Sequence, residues 1–391
     1  MTGSSYYNIE KAAAWRSSGS TQTQGRVYNE RLILSLVRMH AELSKVELTQ
    51  LTSLAPQTIT SIVNEAAANA LLVRGKPRRG GLGQPSVPYA INPSGAFGLG
   101  LTLWAGGGEV VLANFVGGLV DKESISLGSF EPEAMVAAVV QAVETMLARR
   151  PDIPGDRIAG LGIASPFHGS DWQDFLELSP ELATRWARVD LRDELDTRFQ
   201  FPVYLLPDGV VAAAGELLFG AGLGVADFLH LHLGQRIGAG LVLNYHLYAG
   251  RNRLAGVIGD FSVVDGSGSV GPVVSLNAAA SLPSALANGT MPGEDAIDVW
   301  AQEAARALGS FVWRAICLLD LDSIVVNTSG TEGATKAVAR ALRRQLAQAA
   351  ATRPSPLSIV EGRLGAEAHA IGAAALPLLV RYSTDTEVLL K

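Results

Sequence analysis

One cysteine stands in 391 residues. That excludes an internal disulfide framework and any zinc site built on several thiolates. Cys317 falls in the apolar run VWRAICLLDLDSIVV, which places it in a core. Charge is also scarce, at 17% of residues against 48% apolar, a balance that disordered chains do not have. No uninterrupted apolar run reaches membrane-spanning length, and no basic-then-apolar leader opens the chain. The expectation is a cytoplasmic protein with no membrane partner. The net charge of −6 is unevenly spread. Residues 1–92 carry 10 basic and 5 acidic side chains, a balance of +5, and the remainder carries 21 and 32, a balance of −11. A basic head on an acidic body points to a nucleic acid as the partner of the head.

Residues 1–24 are polar and weakly patterned, as in a loose tail. From Gly25 the pattern sharpens, with Val27, Leu32, Ile33, Leu36, Val37 and Met39 at helical spacing. Ser44 and Glu47 form a capping box that opens a short helix to about Leu51. Ser53-Leu54-Ala55 is a turn, and Pro56 suits the first position of a helix running to about Ala68. Ile59, Ile62, Val63, Ala66 and Ala67 make its apolar stripe. Gln57, Thr58, Thr60, Ser61 and Asn64 make the other face, with short uncharged hydrogen-bonding groups suited to base edges and phosphates. Two β-prone pieces then flank a Gly-rich turn carrying Arg74, Lys76, Arg78 and Arg79, placed as in the wing of a winged helix. The order predicts a winged helix-turn-helix over 25–92 that binds a double-stranded DNA operator.

After Asn92-Pro93 strands and helices alternate. Two similar halves, each opening on a strand meander and closing on helices, predict an α/β protein of two lobes with a cleft between them. The first lobe is expected at about 93–207 with the C-terminal helix, the second at about 208–369. Gly234, Gly238 and Gly240 in LGQRIGAG keep backbone bare enough to approach a phosphate. His230 and His232 share a strand face with no third ligand evident, so core or surface satisfaction is expected rather than a metal site. His246 falls at a hairpin turn.

From about Gly25 onward the chain resembles the ROK family, named for repressors, open reading frames and kinases. TSLAPQTITSIVNEAAANALLVRG is similar to the family's winged helix, GQRIGAGLVLNYHLYAGRNRLAG to its second phosphate loop and sugar-facing segment, and LGAEAHAIGAAAL to its closing helix. The resemblance implies an actin-like (ribonuclease H-like) sugar-kinase fold behind the head, a sugar or derivative as effector, and at least a homodimer on paired half-sites.

Departures from the family pattern shape the expected function. Kinases of the family carry D-x-G-x-T in the first strand turn, whereas GLGLTLWAGGGEV has no acidic residue between Ala96 and Gly108, and Glu109 comes later. Phosphoryl transfer needs Mg²⁺ and its oxygen ligands, so the cradle looks absent. Asp208 matches the family's catalytic aspartate, but Pro207 and Val210 replace the usual asparagines. Capping the next helix and touching a sugar hydroxyl both remain open for it. In AGVIGD, Val257 replaces the family's glutamate and Asp260 its zinc-binding histidine. DGSGSVGPVVSLN follows without the cysteines of the zinc knuckle, so no zinc cofactor is expected. LSPELATRW also lacks a clear counterpart of the usual asparagine before Trp186. His168, Asp208 and Asp260 are the effector-contact candidates. Gly234, Gly238 and Gly240 are expected to survive as a degenerate phosphate loop that serves packing. The expectation is a DNA-binding regulator, a repressor of carbohydrate-related genes, that is not an enzyme. An ATP-dependent sugar kinase with a DNA-binding head and a scaffold protein are the alternatives.

Overall fold

The computed structural model describes residues 22–78, 86–104, 106–127, 130–167, 172–264, 273–283, 294–351, 353 and 356–384. The head opens on α1 (Gln22–Met39), which starts three residues before Gly25, and continues through β1 (Glu42–Ser44), α2 (Lys45–Thr52), α3 (Pro56–Ala68), β2 (Leu72–Arg74) and β3 (Pro88–Ile91). The capping box forms as the sequence requires. Ser44 Oγ accepts the Glu47 N–H at 3.4 Å, and Glu47 accepts the Ser44 N–H at 2.7 Å. These bonds hold the Glu47 carboxyl below its usual range. Ser53 stops α2 in the left-handed region (φ 57°), and Pro56 starts α3 where no amide partner is needed. Ile33, Val37, Leu48, Ile59 and Val63 close a shared core. An antiparallel sheet in the order β1-β3-β2 flanks the helices. The β2–β3 hairpin continues through a bridge between Arg78 and Ser86. Its tip, with Arg79, lies outside the described residues.

The body holds two sheets of matching design. The first comprises β4 (Phe97–Trp104), β5 (Gly107–Asn114), β6 (Leu119–Ser126), β7 (Ile158–Ser165) and β8 (Val203–Pro207), with α4 (Pro132–Arg149), α5 (Trp172–Phe175), α6 (Pro180–Trp186) and α7 (Leu191–Asp196) between its later strands. After α8 (Asp208–Phe219), the second is built from β9 (Phe228–Leu233), β10 (Ile237–Leu243), β11 (His246–Tyr248), β14 (Ser323–Thr328) and β15 (Ser358–Glu361). Between them run the hairpin β12 (Ser262–Val264) and β13 (Val273–Ser275), α9 (Leu276–Ala280) and α10 (Glu294–Leu319). Then α11 (Glu332–Ala350) precedes β15, and α12 (Ala368–Tyr382) follows it. The strand orders are β6-β5-β4-β7-β8 and β11-β10-β9-β14-β15. In each sheet the first three strands are antiparallel and the last two join in parallel.

α12 packs on the first sheet, α8 packs on the second, and the two helices lie against each other. Small residues make this possible. A Cβ at Gly98 would sit 2.0 Å from the Ala374 carbonyl oxygen, and one at Gly162 2.0 Å from that of Ala373. A Cβ at Gly215 of α8 would come within 2.9 Å of Gly372 Cα on α12. The Gly162→Ala substitution is therefore expected to cost roughly 2 kcal/mol through forced separation of α12 from β7, read as a lowered urea midpoint at constant slope.

Cys317 departs from its expected place. It is exposed near the end of α10, where Val312 and Ile316 turn inward and Cys317 and Leu318 turn outward. The apolar run hid the helical phase, which buries only part of it. The head is fixed to the body by Arg38 of α1. Its Nη1 donates to the Phe115 carbonyl at 2.6 Å, and its guanidinium lies over the Phe115 and Phe219 rings at 4.7 and 5.4 Å. Burial lowers its pKa to about 10, which leaves it charged at neutral pH. Among the described residues no helix is long and apolar enough to cross a membrane.

Candidate functional site

Two surfaces carry the chemistry. On α3, Ile59, Ile62, Val63 and Ala66 are buried against the head core, which turns Gln57, Thr60, Ser61 and Asn64 outward. These four follow one another at helical spacing and form a single exposed ladder, with Thr58 half-buried beside it. Lys45 of α2, which sequence reading passed over, reaches this face. Its ammonium donates to Asn64 Oδ1 at 2.7 Å. Arg74 and Lys76 are exposed at the base of the hairpin. Arg78 is exposed too, and it pairs with Glu42 and lies 3.9 Å from Glu47 within the head itself. Only a proximity in space reveals this, since Glu42 is 36 positions away.

The second surface is a cavity of about 560 Å³ between the lobes. Asp208, at the start of α8, forms part of its wall, and Gly234 and Arg236 of the β9–β10 turn form another part. Asp208 is the first helical residue rather than the cap, which is Pro207. Its Oδ1 accepts the Gly209 N–H at 2.7 Å. Asp260 lies beyond, lining a small adjoining cavity of about 20 Å³ that also includes Asp208 and Gly238. Arg236 crosses the cleft, donating from Nη1 to the Pro166 carbonyl of the first lobe at 2.8 Å. His168 lies outside the described residues.

The glycines of this turn have a packing role. A Cβ at Gly238 would lie 2.9 Å from Gly209 Cα, and one at Gly240 2.3 Å from Ala213 Cβ, both on α8. Gly234 closes the turn by donating to the Arg236 carbonyl at 3.1 Å. Glu109 also lines the interlobe cavity, from β5, where it pairs with Lys122 at 3.3 Å, and Glu367 lines it from the far end. Sequence reading dismissed Glu109 as too late in the chain. The β4–β5 pairing sets it opposite Thr102 and so returns it to the cleft.

Behind Asp208 lies a buried group that the sequence concealed. The buried His230 and His232 of β9 are joined by His369 of α12, which is half-buried, lines the interlobe cavity and sets its ring centroid 4.0 Å from that of His232. His232 Nε2 meets Ser329 Oγ at 2.8 Å. Burial holds all three imidazoles below the usual range, His230 at about 4. Among the described residues no group of three His, Cys, Asp or Glu is arranged to hold a metal ion. The segment 265–272, where the zinc knuckle would fall, is outside the described residues. Beside the imidazoles, the fully buried Glu216 of α8 accepts from Asn327 Nδ2 at 2.8 Å and from the backbone N–H groups of Ala221, Arg363 and Leu364 at 2.6, 3.2 and 2.9 Å.

Two five-stranded sheets of matching order, each seated on a central helix and facing a shared cleft, define an actin-like, sugar-kinase-type α/β protein. The sequence profile of the ROK family matches residues 111–272 of the chain. A putative xylose repressor of Caldicellulosiruptor sp. is 26% identical over 237 residues, 60% of this chain and 58% of that protein. A glucokinase of Halalkalibacterium halodurans is 29% identical over 167 residues, 42% of this chain and 50% of that enzyme. The chain thus spans about three fifths or less of the length of these relatives. Among solved structures, a ROK family transcriptional regulator, described as a homologue of the E. coli MLC protein, superposes with a TM-score of 0.64 at 20% identity, covering 94% of this chain and 98% of that one. A ROK glucokinase from Streptomyces griseus in complex with glucose and AMPPNP gives 0.54 at 22% identity, covering 72% and 98%.

The chain is therefore related both to sugar repressors and to sugar kinases. This corrects the expectation that it is not an enzyme. That expectation rested on an acid-free first turn. The same fold accommodates a sugar and an ATP analogue in the Streptomyces griseus enzyme, and here Glu109, Asp208 and Glu367 supply carboxylates to one cavity.

Proposed function

We propose that this protein is a sequence-specific DNA-binding transcriptional regulator, a repressor of carbohydrate-related genes, controlled by a sugar or sugar derivative in the interlobe cleft. The observation that carries this reading is the exposed ladder Gln57, Thr60, Ser61 and Asn64 on α3, set on a buried stripe and flanked by Lys45, Arg74 and Lys76. In a winged helix-turn-helix, α3 would enter the major groove and the β2–β3 hairpin would follow the backbone. The repressor relatives and the fold shared with a ROK regulator support it. As a homodimer, the protein would read paired half-sites, and an effector that binds one arrangement of the heads better than the other would shift DNA affinity by linkage.

The test is to pass fragmented genomic DNA over the protein and sequence what is retained. One or a few inverted-repeat sites are expected. On such a site, replacing Thr60, Ser61 and Asn64 together by alanine should remove sequence preference, at about 1–3 kcal/mol per lost base contact. Replacing Arg74 and Lys76 by glutamine should weaken binding to every sequence and reduce its salt dependence. Unselective retention of DNA by the unaltered protein would sink the reading. A second reading, phosphoryl transfer from ATP to a sugar, is favoured by Asp208 and Glu109 sharing a cavity. Sugar-dependent ADP release that is lost in Asp208→Asn would establish it.

A further inference from the structure

A second cavity, of about 410 Å³, lies where head and body meet and shares no lining residue with the interlobe cavity. Five pieces of the chain wall it: α1, the end of α3 with the turn into β2, Gly95 in the turn before β4, the short turn Gly155–Arg157, and the last turn of α12. Three arginines line it, Arg31, Arg157 and Arg381, against two carboxylates, Glu30 and Asp156. Burial and the neighbouring Glu65 raise the Glu30 pKa, and Arg26 and Arg31 oppose this. Arg157 is held in place, with Nη1 donating to the carbonyls of Asn69 in the head and Gly95 in the body at 2.5 and 2.9 Å. The Tyr382 ring is fixed against Phe115 at 4.8 Å between centroids. Val27, Leu34 and Leu71 add an apolar wall.

We infer that this junction cavity is a binding site for a small organic anion that bridges head and body. Its volume is that of a site for a small metabolite. Guanidinium forks match carboxylate and phosphate groups geometrically, and a partly enclosed site strengthens such charge-assisted bonds. A ligand held between Arg31 on α1 and Arg381 on α12 ties the head to the body's closing helix. The binding stands independently of the function proposed above.

Isothermal titration of the full-length chain with two probes separates the sources of the anion: citrate, which offers carboxylates alone, and glycerol 3-phosphate, which offers a phosphate. At least one is expected to bind with a Kd below about 1 mM. Arg381→Gln should weaken it at least about tenfold, with Arg381→Lys intermediate because it keeps the charge and loses the fork. Asp208→Asn, in the other cavity, should leave it unchanged. On binding, the amides of Asn69 to Leu71 should exchange more slowly with solvent. No heat with either probe overturns the proposal. So does undiminished binding in Arg381→Gln, or loss of binding in Asp208→Asn.

Discussion

Glu216→Ala is expected to lower stability by on the order of 4 kcal/mol. The carboxylate is fully buried in α8 and takes four hydrogen bonds, three from backbone N–H groups and one from Asn327. Truncation leaves those donors buried without an acceptor, and an unmet buried donor costs far more than an ordinary hydrogen bond gains. The loss falls at a junction of several elements. Ala221 follows α8, Asn327 lies in β14, and Arg363 and Leu364 lead into α12. Glu216→Gln should recover only part, because its amide nitrogen would face donors. Chemical unfolding at constant slope measures both variants. A loss below about 1 kcal/mol for the alanine variant would mean that the donors find other partners.

The second large effect is on acid stability. Desolvation pushes down the pKa values of the buried His230 and His232 and of the half-buried His369, His230 to about 4 from an ordinary 6.5. The unfolded chain therefore binds more protons than the folded one between those values. Stability is fully present above about pH 6.5 and is lost as pH falls toward about 4, below which His230 adds nothing further. For His230 alone the loss is on the order of 3 kcal/mol. Unfolding midpoints at pH 7.5 and pH 5 should differ markedly in the unaltered chain and less in His230→Leu. Equal pH sensitivity in the two proteins would remove His230 from this account.

The sequence made legible whatever local rules decide. The Ser44–Glu47 capping box, Pro56 at the head of α3 and the buried stripe beneath Thr60, Ser61 and Asn64 are readable because each depends on residues within one or two turns. The alternation of strands and helices likewise gave the two lobes. What escaped was set by distant approach. His369 meets His232 from the other end of the chain, and Glu109 reaches the cleft only through the β4–β5 pairing. The pairing of Arg78 with Glu42 likewise comes only with the fold. Cys317 reads as core because an apolar run carries no sign of which face of a helix turns inward.

The seating of α12 on the first sheet sets an order for the molecule's birth. β4, β5 and β7 leave a ribosome well before α12, the helix that covers their glycine-lined face, with the whole second sheet translated in between. At about 5–20 residues per second, that face waits many seconds for its cover. The first lobe is thus begun before the second and finished after it. Its completion brings His369 to the second lobe's imidazoles in the same step, so the docking of α12 completes both lobes together.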